Sequence, residues 1–196
     1  MSFEPVSFDW TALPADLPVP DDDGAADHLS GAAMPRLALP STDGGTQGVD
    51  TAPDGFTRLV LYAYPRTGRP DEDLLVPEWN EIPGARGCTP ESCGFRDHAA
   101  ELREAGAAVA GLSTQDTEYQ LEAAERLGLP FPLLSDAGLE LTRALRLPTF
   151  EAGGLTLLKR LTLVVRDGAI EHFFYPVFPP DAHAAAVLAW LRAQPA

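Results

Sequence analysis

Apolar residues along this chain gather in short runs parted by stretches rich in Gly, Pro, Asp and Ser. Arg58–Tyr64 (RLVLYAY) is a continuous apolar run that stops at Pro65 and reads as a buried strand. Ala107–Leu112 reads the same way, followed by polar Ser113-Thr114-Gln115-Asp116 and a helical pattern ending at Gly128. Leu37–Leu39, Phe131–Leu134 and Leu161–Val165 are further strand candidates. Asp167-Gly168 predicts a tight turn from Leu161–Val165 into Ile170–Tyr175, hence an antiparallel hairpin. Between these runs, Thr89–Ala105 predicts one helix, with Pro90 tolerated in its first turn and Gly106 at its end. Asp136 can cap a helix reaching Leu147. Asp181 can cap a last helix whose Ala184, Val187, Leu188 and Leu191 share one face.

The order β-α-β-α-β-α-β-β-α predicts an α/β fold, a central mixed sheet covered by helices on both faces. A thioredoxin-like fold fits it. Residues 1–34 carry Pro14, Pro18, Pro20 and Asp21-Asp22-Asp23 with no sustained period, so they are expected to be an N-terminal extension to a domain spanning 35–196. Phe8 and Trp10 suggest that part of this extension docks onto the body.

Composition narrows the classes. With 14 basic and 29 acidic side chains the net charge is −15, and no dense basic patch exists to displace counterions, so nucleic acid is not an expected partner. No apolar run approaches the roughly 20 residues that span a bilayer, and the start Met1-Ser-Phe-Glu-Pro lacks the features of a signal peptide. The expectation is a cytoplasmic protein with no membrane partner. His28, His98, His172 and His183 show no metal-binding spacing, and no phosphate-cradling glycine motif follows a strand, so neither a metal nor a cofactor is expected.

The candidate chemistry lies in the two cysteines, Cys88 and Cys93, five positions apart. A structural disulfide is disfavoured in a reducing compartment, and two thiols fall short of a four-ligand zinc site. Cys88 opens the predicted helix, where unpaired N–H groups and the helix dipole favour an anion, and Arg86 adds positive charge. Both favour the thiolate, the nucleophilic form. Cys88, Phe95, Ala99 and Leu102 fall on one helical face, while Cys93 is rotated by about 140° from Cys88, on the side of Asp97 and Glu101. An inward nucleophile with an outward partner suits a two-step thiol enzyme; the alternative is a pair of inert core thiols.

The segment Gly87-Cys88-Thr89-Pro90-Glu91-Ser92-Cys93-Gly94-Phe95-Arg96-Asp97 resembles the active-site helix of the bacterioferritin-comigratory-protein/PrxQ peroxiredoxins. Tyr64-Pro65-Arg66-Thr67-Gly68 resembles the segment before that helix, and Arg160-Leu161-Thr162-Leu163-Val164-Val165 the strand bearing the family's active-site arginine. The resemblance implies that Cys88 is the peroxidatic cysteine, that Cys93 resolves it as an intramolecular disulfide, and that Arg160 helps bind the peroxide. It implies reduction of hydrogen peroxide or organic hydroperoxides, with thioredoxin or a similar dithiol as reductant. The family keeps Pro, Thr and Cys in one PxxxTxxC loop, whereas here Pro65 and Cys88 are 23 positions apart, an insertion of about 16 residues near 69–84. Ala85 stands where the family has Thr, and Thr67 or Thr89 is left to supply the hydroxyl.

The expected catalytic set is therefore Cys88, Cys93, Arg160, Pro65 and Thr67, with Arg66 and Arg86 competing for Arg160's role. Glu91 reads as an acid suited to the helix dipole. Leu147-Pro148-Thr149 reads as a helix stop. A monomer is expected, because both thiols belong to one chain. A thiol–disulfide reductase is disfavoured by the C-x4-C spacing. A different class remains open, a redox-sensing interaction protein oxidised at Cys88 without turnover.

Overall fold

The computed structural model describes residues 12–194; Phe8 and Trp10 lie outside the described residues. The chain first forms a small antiparallel hairpin, β1 (Ala38–Pro40) and β2 (Thr46–Gly48), then the buried strand β3 (Arg58–Ala63). Helices α1 (Cys88–Asp97) and α2 (Ala99–Glu104) lead to β4 (Ala107–Ser113), and α3 (Thr117–Leu127) to β5 (Leu133–Ser135). After α4 (Glu140–Leu145) comes a second hairpin, β6 (Thr149–Ala152) and β7 (Leu155–Leu158). Strands β8 (Leu161–Arg166) and β9 (Ala169–Phe174) precede the last helix, α5 (His183–Ala193).

The central sheet has the order β5-β4-β3-β8-β9. β3 pairs parallel with β4 and antiparallel with β8, so the sheet is mixed and the expected thioredoxin-like α/β fold is what the chain adopts. β3 is buried along its whole length, and its alternation divides it between two cores. Leu59, Leu61 and Ala63 face a core closed by α4 and by Ala26, Leu29 and Met34. Val60, Tyr62 and Tyr64 face the other, closed by Phe95, Leu102, Val187, Leu188 and Leu191.

Several expectations are corrected. The helix predicted over 89–105 is two helices, broken at His98 (φ −96°, ψ 7°). Asp97 and His98 are successive poor helix formers, and Asp97 binds Arg96 Nε instead of extending the helix. Asp181 does not cap α5: a 3₁₀ turn, Pro180–Ala182, precedes that helix, and its N-cap Ala182 offers no side-chain bond. Asp136 does serve α4, accepting from the backbone N–H groups of Leu141 and Thr142 (3.1 and 2.8 Å). The strand expected at Phe131 begins at Leu133, since Pro132 has no N–H to give a ladder. Thr149, read as following a helix stop, opens the unforeseen β6–β7 hairpin. The Asp167-Gly168 turn stands as expected, both residues at positive φ (52° and 78°) joining β8 to β9.

The insertion folds down. Trp79, in a 3₁₀ turn, packs with Leu74, Leu75, Val76 and Ile82 against Phe150, Ala152 and Leu157 of the β6–β7 hairpin. No helix among the described residues is long and apolar enough to cross a membrane.

Candidate active site

Cys88 is the first residue of α1, and the chain enters that helix through Gly87 at φ 112°. Only glycine suits the position, because a Cβ there would lie 2.3 Å from Pro180 Cγ in a conformation that L-residues avoid. α1 is held on the sheet by Phe95, whose ring stacks on Tyr62 at 4.4 Å, and by a 3.0 Å hydrogen bond from Tyr62 OH to Ser92 Oγ. Cys88, Glu91, Ser92 and Phe95 all face inward and are buried. Their spacing (i, i+3, i+4, i+7) is the inward stripe of a helix, two of whose members are polar.

Arg160, at the start of β8, converges on that stripe. Its Nη2 donates to Cys88 Sγ at 3.2 Å and to the carbonyl oxygens of Gly84 and Arg86 at 3.2 and 3.3 Å. Its Nη1 donates to Glu91 Oε2, forming an ion pair in which both side chains are almost wholly buried. Burial pushes the Glu91 carboxyl up to about 7, against the opposing pull of Arg160. Arg160 itself is held above its ordinary value, the charges of Glu91 and Cys88 outweighing its burial. The thiol of Cys88 donates to Ala85 O at 3.6 Å. Beneath the site, His183 binds Thr162 Oγ1 through Nε2 (2.7 Å), and burial, with Arg160 nearby, pushes its pKa down to about 3. It is a neutral structural histidine.

Arg160 and Cys88 are thus brought together; Pro65 and Thr67 are organised differently. Pro65 O accepts from Ser113 Oγ (3.2 Å), and Thr67 Oγ1 and N donate to Gln115 Oε1 (3.1 and 3.0 Å). The Thr67 hydroxyl is engaged by Gln115, two residues past the end of β4. Of the competitors to Arg160, Arg66 lies over the Tyr119 ring (4.4 Å), and Arg86 donates to Ala12 O (3.2 Å). Cys93 is a half-buried free thiol. Burial pushes its thiol up, while the guanidinium groups of Arg96 and Arg126 pull the other way.

Glu91 is the functional-site residue whose setting the sequence reading missed. It sits one turn from Cys88 on the same face, so extending the inward stripe to polar positions would have found it. Beside Arg160 and Gly84 opens a cavity of about 370 Å³, walled by Ile82 and Pro83 of the insertion and by Pro20 and Asp23 of the N-terminal segment. Asp23 latches that segment down, accepting from Lys159 Nζ (2.6 Å) and Tyr175 OH (2.7 Å).

Residues 29–188 match the family model described as Redoxin. Peroxiredoxin Bcp of Escherichia coli K12 is 30% identical over 167 residues, covering 83% of this chain and 95% of that protein. Chloroplastic peroxiredoxin Q of Oryza sativa subsp. japonica is 29% identical over 163 residues, covering 83% of this chain but only 66% of the rice protein, just under two thirds. Peroxidoxin BcpB of Mycobacterium tuberculosis superposes with a TM-score of 0.68 at 29% identity, covering 85% of this chain and 98% of that one. Peroxiredoxin Q of Xanthomonas campestris gives 0.62 at 25% identity, covering 92% and 98%.

Proposed function

Because this chain belongs to the redoxin family, among the peroxiredoxin Q/Bcp proteins, we propose that it is a thiol peroxidase that reduces hydroperoxides through Cys88 and Cys93. The Cys88 thiolate attacks the terminal oxygen of ROOH; an S–O bond forms, the O–O bond breaks, and RO⁻ leaves to be protonated. The single observation that carries this reading is Arg160 Nη2 at 3.2 Å from Cys88 Sγ, a buried cation beside the nucleophile. A donor there can stabilise the negative charge that moves from sulfur to the departing oxygen. Glu91 orients Arg160 from the other side, and the Gly84 and Arg86 carbonyls fix its fork.

Cys93 then resolves the sulfenic acid as an intramolecular disulfide, and a dithiol such as thioredoxin returns both thiols. Pro65 and Thr67 shape the loop beside the site; with its hydroxyl on Gln115, Thr67 acts by holding that loop. The reading includes a monomer in a reducing compartment, the cytoplasm, since one chain holds both thiols and both must be returned to the reduced state.

The test is peroxide consumption coupled to thioredoxin and its reductase. Cys88→Ser is expected to abolish turnover, and Cys93→Ser to accumulate a sulfenic acid and stall. Wild-type turnover by Cys88→Ser would sink the assignment. Oxidation of Cys88 without turnover by any dithiol would favour a redox sensor instead.

A further inference from the structure

The N-terminal segment runs over the active site as a strap tied at both ends. At one end Ala12 O accepts from Arg86 Nη2 (3.2 Å), two residues before Cys88. At the other, Asp23 accepts from Lys159 Nζ (2.6 Å) and Tyr175 OH (2.7 Å), and Lys159 directly precedes Arg160. Beyond that latch Asp22 and Asp23 accept from the N–H groups of Gly24 and Ala25 (both 3.1 Å), and the chain enters the core at Ala26 and Leu29. Pro14, Pro18 and Pro20 fix φ along the strap, which is stiffened without a helix or strand of its own. Between the ties, Leu17 and Pro18 line a recess that reaches Arg160. Pro20 lies near Gly84, whose carbonyl accepts from Arg160, and closes one side of the cavity of about 370 Å³. The other apolar walls are Ile82 and Pro83 of the insertion, Phe150 of the β6–β7 hairpin and Val177. The Redoxin match covers residues 29–188, so the strap is a wall from outside the matched region.

We propose that the strap makes this cavity a subsite for the apolar organic group of an alkyl or aryl hydroperoxide, with Pro20 as the specificity-determining contact and Asp23 as the residue that positions it. The inference rests on the reading of Cys88 and Arg160 as the peroxide site and adds a place for the R group of ROOH. Orientation follows from the lining. The hydroperoxide end goes to Arg160, which can donate to oxygen, and the organic end to the proline, isoleucine and phenylalanine walls, where it leaves water. Hydrogen peroxide has no apolar group to place there, so contacts in the cavity discriminate between the two substrates. The latch is an exposed ion pair, a kind that contributes little to stability, so it can be cut without unfolding the chain.

The experiment measures kcat/KM for cumene hydroperoxide and for hydrogen peroxide in the full chain and follows the ratio of the two. Pro20→Asp places a charge in the apolar wall and is expected to lower that ratio about tenfold, the scale of one pocket contact. Asp23→Ala frees the strap and is expected to lower it about threefold, within the same range. Asp23→Asn keeps an acceptor for Lys159 and Tyr175 and is expected to recover part of the loss. Damage to Cys88 or Arg160 slows both peroxides alike and cancels in the ratio. Equal slowing with the two substrates would therefore mean that the strap only props the site, and would overturn the proposal. So would a ratio that stays unchanged or rises in either Pro20→Asp or Asp23→Ala. Wild-type protein that consumed neither peroxide would remove the peroxidase reading itself, whereas turnover of both with an unmoved ratio removes the subsite alone.

Discussion

Arg160 Nη2 lies 3.2 Å from Cys88 Sγ, although 72 residues separate the two along the chain. The contact exists because β8 pairs with β3 while α1 packs across the same sheet, bringing the start of one element to the start of the other. Arg160→Ala is expected to lower the second-order rate constant for peroxide by on the order of 100-fold or more, the usual loss on removing one oriented donor. Lysine cannot reproduce a fork that serves Cys88, Glu91 and two carbonyls together, so Arg160→Lys is expected to recover little. Competition kinetics against a second peroxide scavenger reads both variants; a loss under threefold in Arg160→Ala would remove the arginine from the chemistry.

Glu91 sets a pH dependence of stability. Its folded value, pushed by burial to about 7, lies above the ordinary 4.5, so the folded protein binds more protons than the unfolded chain between those values. The associated stability is fully present below about pH 4.5 and is lost as pH rises through about 7. At ~1.4 kcal/mol per unit the loss is on the order of 3 kcal/mol. Glu91→Gln keeps an acceptor for Arg160 and cannot titrate, so its stability is expected to be flatter across that window. Urea midpoints at pH 5 and pH 7.5 make the comparison; parallel losses in both proteins would exclude Glu91 as the source.

The insertion is expected to influence which peroxides reach the site. Ile82, Pro83 and Gly84 wall the 370 Å³ cavity beside Arg160, and Trp79 anchors them to the β6–β7 hairpin. Shortening residues 69–82 is expected to change the ratio of kcat/KM for cumene hydroperoxide to that for hydrogen peroxide by about tenfold, the scale of a pocket contact. With the fold intact by circular dichroism, an unchanged ratio would reduce the insertion to a spacer.

Disulfide formation requires the first turns of α1 to open. Five helical steps put the two Cα atoms roughly 9 Å apart, whereas a disulfide needs less than about 7 Å. Opening must release Cys88 and Glu91 from Arg160, and Ser92 from Tyr62. Peroxide-treated protein is therefore expected to lose amide-exchange protection across residues 88–93, with protection retained in the core strand β3. Equal protection before and after, with the disulfide verified by mass, would require another route.

Much of this was legible in the sequence because it is local. The apolar runs at Arg58–Tyr64 and Leu161–Val165 can be satisfied only as buried strands, and the Asp167-Gly168 turn follows from the φ values these residues tolerate. The placement of Cys88 at a helix start is likewise a property of its neighbours in the chain. Other features needed contacts between distant segments. Glu91 reads as an acid suited to the helix dipole until Arg160 arrives from β8 and makes its burial tolerable. Thr67 looks available to the peroxide until Gln115, 48 residues on, takes its hydroxyl. The β6–β7 hairpin, invisible in a short pattern, is stabilised by the insertion that packs on it. Local propensity and periodicity determined which elements form and where the nucleophile stands. Tertiary packing decided which charges surround it, because a buried ion pair is set by the geometry of both partners and neither partner's sequence neighbourhood contains the other.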